Sequence, residues 1–123
     1  MTKSIFINAE TREVVSVDLQ NQLRETYTMI GCDLVQTALY LEGNDALVVD
    51  EEGLFKDGKC GFIIEDTFVY GNGMIWGCDD EGESADCKTD LSYVLSKIIW
   101  VDREKANRMR DLLLNSSPMV FFG

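Results

Sequence analysis

"DLVQTALYLEGNDALVVD", residues 33–50, holds two runs of strand character, Asp33–Leu41 and Ala46–Asp50, on either side of the polar tetrad Glu42-Gly43-Asn44-Asp45. Two such runs joined by a short Gly/Asn turn predict an antiparallel hairpin. The same grammar repeats outward. Ser4–Ile7 and Glu13–Leu19 flank the turn-like "NAETR" (Asn8–Arg12), and the second run alternates around Val15 and Val17. Downstream, "DGK" (57–59) precedes the β-rich "GFIIEDTFVYG", the "GNG" turn (71–73) precedes "MIWGC", and "KIIWV" (97–101) forms a last β-type run.

Helical period appears in three places. Leu23, Tyr27 and Ile30 fall at i, i+4 and i+7, one face of a helix, and Gly31 suits its C-terminal cap. "DLSYVL" offers one or two turns with Asp90 as N-cap. From Asp102, "REKANRMRDLLLN" sets Ala106, Met109 and Leu113 on one face, with Asp102 as cap. Hairpins dominate and crossover helices are few. The expected fold is therefore α+β, a mainly antiparallel sheet of hairpins with two or three helices in a single domain. Residues 1–101 are expected to form the core. Residues 102–123 are expected to add a helix and an apolar tail packed on the core or on a partner.

The chain has 123 residues, 46% of them apolar. That is enough to bury a real core and argues against disorder. No apolar run approaches the roughly 18 residues that span a bilayer, and the N-terminus lacks the pattern of a signal peptide, so a cytoplasmic protein is expected. The net charge is −11. It is unevenly placed: residues 42–90 carry 14 acidic and three basic residues, whereas residues 91–123 carry three acidic and five basic. Such a middle section repels nucleic acid and anionic membrane. It suits a basic protein partner or a divalent cation, and it equally suits a merely well-solvated surface.

Two acidic turns stand out, Asp50-Glu51-Glu52 and the stretch Asp79, Asp80, Glu81, Glu83 and Asp86. Neither fits an EF-hand loop, because the position five before each glycine is Val48 or Gly77 rather than an oxygen ligand. Adjacent acids on an extended chain point to opposite sides, so a looser ion site is disfavoured. No metal is expected, and no cofactor. The four cysteines, at 32, 60, 78 and 87, lack Cys-x-x-Cys spacing, and there is no histidine. Free thiols are expected rather than zinc ligands or disulfides. "GNGMIWG" has no phosphate-loop lysine, and its glycines suggest turns of positive φ. Without histidine there is no triad and no imidazole base for a cysteine. No catalytic residue is assigned and no enzyme is expected.

Taken together, "IFINAETREVVSV", "IGCDLVQTALYLEGNDALVVDEEGLFK" and "GNGMIWGCDDEGES" followed by "IIWV" resemble a family of small proteins of unknown function common in bacteriophages and mobile elements. The likeness spans roughly residues 3–101 and rests on "DEEGL" and a "GxGLVxGxDxEG"-like segment. Asn8 stands where that family has aspartate, and Met74-Ile75-Trp76 where it has smaller aliphatics. The resemblance implies a phage or mobile-element setting and brings no catalytic residues with it.

The expected function is protein–protein binding by a non-enzymatic acidic accessory protein, host-modulating or anti-defence in that setting. The contact is expected on Asp79, Asp80, Glu81, Glu83, Asp86, Asp50, Glu51 and Glu52. A basic host protein is the best electrostatic match, with no direct nucleic-acid binding and no membrane. The alternative is a small-ligand or ion-binding β-rich domain using Gly71–Asp80 with Tyr70 and Trp76. The terminal Met119, Val120, Phe121 and Phe122 read as a docking tail, on the chain's own domain beside Ile5–Ile7, on a partner, or on a second copy in a homodimer.

Overall fold

A computed structural model describes residues 1–115. The chain runs β1 (Thr2–Asn8), β2 (Glu13–Leu19), α1 (Gln22–Ile30), β3 (Val35–Tyr40), β4 (Ala46–Asp50), β5 (Gly61–Ile64), β6 (Thr67–Tyr70), β7 (Gly73–Cys78), β8 (Ser84–Ala85), α2 (Leu91–Lys97), β9 (Ile99–Val101) and α3 (Arg103–Asn115). The two sequence-evident hairpins form as expected: β1 pairs with β2 from Thr2↔Leu19 to Asn8↔Glu13, and β3 pairs with β4. They do not pair with each other. β7 wedges between them, pairing Ile5↔Ile75 on one side and Leu47↔Ile75 on the other. The large sheet is thus ordered β2-β1-β7-β4-β3, with β8 added to β7, and a second sheet is ordered β6-β5-β9. Every pairing is antiparallel, and the fold is α+β.

The alternation of side chains across each strand sorts the apolar residues into layers. Ile5, Ile7, Leu47 and Ile75 face Phe62, Ile64 and Val69 of the small sheet, closing the main core. Phe62 also meets Trp100 edge to face, with ring centroids 6.4 Å apart. The intervening positions Phe6, Val48 and Met74 face the other way, against Met29 and Ile30 of α1. On the far side of the small sheet, Tyr70 and Val101 pack with Ala106 and Met109 of α3. The stack is helix, sheet, sheet, helix. Each fully buried Leu, Ile or Phe contributes roughly 1.5–3 kcal/mol of transfer free energy. α2 enters the main core through Val94, which is completely buried.

Caps account for the helix ends. Asn21 Oδ1 accepts the Arg24 N–H, and Glu25 in return accepts the Asn21 N–H, satisfying donors that a helix start leaves free. Gly31 closes α1 at φ +83, as its residue type predicts. Asp102 Oδ1 accepts the Lys105 N–H and so caps α3. Asp90 occupies the N-cap position of α2, but its side chain makes no capping bond.

Three expectations need correction. The run Gly61–Gly71 is two strands, because Glu65 and Asp66 both take positive φ and turn the chain back. The buried face of α1 is rotated from Leu23: Leu23 is 47% exposed, while Thr26 is fully buried. The third concerns Ile5–Ile7. Both edges of β1 are occupied, by β2 and β7, so no terminal strand can add there.

Candidate functional site

The stretch after Trp76 folds as a hairpin whose strands pair Gly77↔Ala85 and Cys78↔Ser84. Asp79 makes its tip. The Asp79 N–H donates to Glu83 O at 2.9 Å, and one Asp79 carboxylate oxygen accepts the N–H of both Glu81 and Glu83, each at 2.9 Å. This acid is spent on its own turn. Asp80, Glu81 and Glu83 are left exposed, and their carboxylates make no ion pair or hydrogen bond among the described residues. The base of the hairpin is pinned to α1 through Gln22, which accepts from the Ser84 hydroxyl at 3.0 Å. Gly77 is required there by packing: a Cβ would stand 2.4 Å from Asp86 O. Within "GNGMIWG" only Gly71 carries the positive φ expected of the set; Gly73 and Gly77 are glycines because of close approach.

Past the hairpin the chain is tied down again. Asp86 accepts the Lys3 N–H at 2.7 Å, and the Cys87 N–H donates to Lys3 O. Asp45, which the sequence placed only in a polar turn, is fully buried. One of its oxygens accepts the Lys88 N–H, the Thr89 N–H and the Thr89 hydroxyl at 2.6–2.8 Å, while Oδ1 is buried without a partner. Asp45 thereby anchors the return from the acidic hairpin. No signal short of the fold marks one acid of "EGND" as interior.

The second acidic turn lies elsewhere. Asp50 accepts the Glu52 N–H at 2.9 Å and pairs with Lys56, while Glu51 and Glu52 are exposed. The Asp50 carboxylate holds the Lys56 ammonium above its usual pKa. Val49 lies opposite Gly73 and Ala46 opposite Trp76, so Asp50 and Asp79 sit at opposite ends of β7, about 24 Å apart at strand rise. The eight acidic residues expected to form one contact are therefore two separate groups. Three of them, Asp50, Asp79 and Asp86, are committed to local structure.

Tyr70 and Trp76 are not brought together either. Tyr70 lies under α3, its hydroxyl donating to Asn107 Oδ1 at 2.5 Å and accepting the Lys59 N–H. Trp76 packs on the α1 side of the large sheet. Two sheets separate them. The cysteines are free thiols. Burial pushes Cys32, Cys60 and Cys87 above the ordinary thiol range, helped by Asp50, Glu10 and Asp45 respectively, which makes them poor nucleophiles at neutral pH. Among the described residues no three Cys, Asp or Glu converge to hold a metal ion, and no helix is long and apolar enough to cross a membrane. The tail residues Met119, Val120, Phe121 and Phe122 lie outside the described residues.

A polar seam invisible in the sequence joins α3 to the body. Arg103 donates to Glu10 at 2.6 Å, and Glu10 also accepts the Cys60 N–H. Arg110, buried over the Tyr70 ring, reaches Leu54 O, Lys56 O, Asp57 and Asp111.

Residues 1–99 match a family described as a domain of unknown function (DUF3846). This chain belongs to that family. The DUF3846 match takes in both acidic turns and stops inside β9, so α3 lies beyond it. No curated protein and no solved structure matches the chain.

Proposed function

We propose that this DUF3846 chain is a non-enzymatic accessory protein that acts by binding another protein, with the Asp79–Glu83 hairpin tip as its electrostatic contact. The observation that carries the reading is the division of labour within the tip. Asp79 ties the turn by accepting the Glu81 and Glu83 N–H groups, and Asp80, Glu81 and Glu83 are exposed without counter-ions among the described residues. A pre-ordered group of unpaired carboxylates loses little entropy on meeting a basic surface and steers its approach. The partner in this reading is a basic protein. In the phage or mobile-element setting implied by the resemblance, it is a host protein whose activity the complex modulates. The Asp50–Glu52 turn, at the other end of the sheet, is not part of this contact.

The test is capture from host extract on the immobilised protein, followed by titration of the purified partner. The expected result is a basic protein whose affinity falls as salt rises and falls again when Asp80→Asn, Glu81→Gln and Glu83→Gln are combined. Asp79 is left untouched so that the turn keeps its shape. An affinity indifferent to both changes would overturn the reading.

A further inference from the structure

Three turns far apart in the sequence meet at the end of β7 remote from the Asp79–Glu83 tip. Glu10 comes from "NAETR", Asp50 from the acidic turn after β4, and Asn72 from "GNG". With Lys56, Lys59 and Tyr70 they line a hollow of about 40 Å³, completed by Ile30 and three glycines. At roughly 10–15 Å³ for each water-sized occupant, it has room for about three. Its wall is held from behind. The hydroxyl of the buried Tyr70 donates to Asn107 and accepts the Lys59 N–H, and Asn72 Oδ1 accepts the Ala9 N–H at 2.8 Å.

The charged acceptors around this hollow are already matched. Glu10 accepts from the Cys60 N–H and from Arg103. Asp50 accepts the Glu52 N–H and pairs with Lys56. Lys56 also donates to Gly31 O at 3.3 Å, covering a carbonyl that would otherwise set the C-terminal end of α1 against an anion. Donors are left over. The Lys59 ammonium meets no carboxylate among the described residues, the Asn72 NH₂ has no partner there, and Lys56 keeps a third N–H. Lys56, Lys59 and Arg103 against Glu10 and Asp50 leave one positive charge in surplus. We propose that this hollow binds a carboxylate group, carried by a small organic acid or by the end of a peptide. A carboxylate has three heavy atoms and a single negative charge, so it matches both the room and the surplus, and it finds its donors already in place. Phosphate is larger and carries more charge than that surplus offsets, with Glu10 and Asp50 beside it. The hollow is separate from the hairpin tip, so its occupancy is independent of any partner bound there.

The experiment titrates the ¹⁵N-labelled full chain with sodium acetate, N-acetylglycine and sodium phosphate, each at neutral pH and at an ionic strength held constant with sodium chloride. Acetate or N-acetylglycine is expected to shift the Asn72 side-chain NH₂ and the Gly71 and Lys59 amides saturably. Tighter binding of N-acetylglycine assigns the site to a peptide end, and tighter binding of acetate to a small acid. Two variants keep the fold and change the donors. Lys59→Gln removes the unmatched charge from an exposed residue, and Asn72→Asp keeps the acceptor for Ala9 while turning the NH₂ into a second carboxylate oxygen. Each should weaken binding about tenfold or more, as expected for one lost hydrogen bond to a charged group, with the Ala9 amide signal unmoved as the check on the turn. Shifts that never saturate, phosphate binding more tightly than either carboxylate, or an affinity unchanged in either variant would overturn the proposal.

Discussion

Asp45 is a carboxylate shut off from solvent with no cation beside it among the described residues. Burial of such a group is costly unless hydrogen bonds compensate, and here three donors meet on one oxygen. Asp45→Ala leaves the part-buried Lys88 and Thr89 N–H groups without this acceptor. Each orphaned donor costs about 1–3 kcal/mol, so urea unfolding should show a loss of about 2–4 kcal/mol. Asp45→Asn keeps an acceptor oxygen and places an NH₂ where Oδ1 has no partner. It should cost clearly less than the alanine, and an equal loss would mean that the charge, rather than the acceptor, is what the turn requires. Asp79 is the exposed counterpart: the same side-chain chemistry shapes a turn in water. Nothing in the residue order separates the two aspartates. What separates them is that the segment after Asp45 enters the interior of the large sheet as β4, whereas the chain after Asp79 turns through an exposed tip into the short β8.

At the scale of elements, α3 does most to complete the body. It covers Tyr70 and Val101 on the small sheet's outer face and is fastened by Arg103 and Arg110. A chain ending at Asp102 should expose that face, bind a hydrophobic dye and melt at lower temperature or precipitate; an unchanged melt would show α3 to be dispensable. The Glu10–Arg103 bond gives this seam a pH signature. Burial pushes the Glu10 pKa up, but the Cys60 N–H and the Arg103 guanidinium outweigh it and hold the carboxyl below its ordinary value. A depressed folded pKa stabilises above the unfolded value of roughly 4.3, and that contribution is lost as pH falls through the lower folded value. Glu10→Gln should therefore lower the urea midpoint at pH 7, with the difference from wild type vanishing once pH drops below the folded value. A difference constant with pH would mean that Glu10 acts by shape alone. The hairpins β1–β2 and β3–β4, the Gly31 cap and the Asp102 cap were all legible in the sequence, because each is a local signal of period or turn chemistry. The β5–β6 turn was not, since Glu65-Asp66 is an unusual pair for two left-handed residues. The α1 face was misplaced because its innermost residue is a threonine. The short β8 has no pattern of its own and exists only by pairing with β7.

The whole molecule separates what the sequence gathers. The middle section's charge looks like one acidic block, but β7 sends its two acidic turns to opposite ends of the large sheet. The site was legible as a list of acids and illegible as a surface, because only topology decides which turns are neighbours. A net charge of −11 on a body this small is self-repelling. Raising salt from about 0.02 to about 0.5 M, across which the screening length shrinks several-fold, should raise the melting temperature. The combined Asp80→Asn, Glu81→Gln, Glu83→Gln chain should melt higher than wild type at low salt and converge with it at high salt. A wild-type melt independent of salt would mean the carboxylates are too far apart to matter.

The position of β7 also has a history on the ribosome. Ile5 and Leu47 cannot meet their shared neighbour until Ile75 has been made. At roughly 5–20 residues per second, the inner edge of β1 stands bare for about 4–14 s and that of β4 for about 1–6 s before Ile75 is made. They are apolar on both faces, with Phe6 and Val48 on one side and Ile7 and Leu47 on the other. A nascent chain arrested before Gly73 should be protease-sensitive and held by chaperones, and one arrested once Cys78 has cleared the exit tunnel should resist digestion from Thr2 to Asp50. The strand that joins the two halves of the sheet thus also sets the time at which the polypeptide stops being a client and becomes a protein.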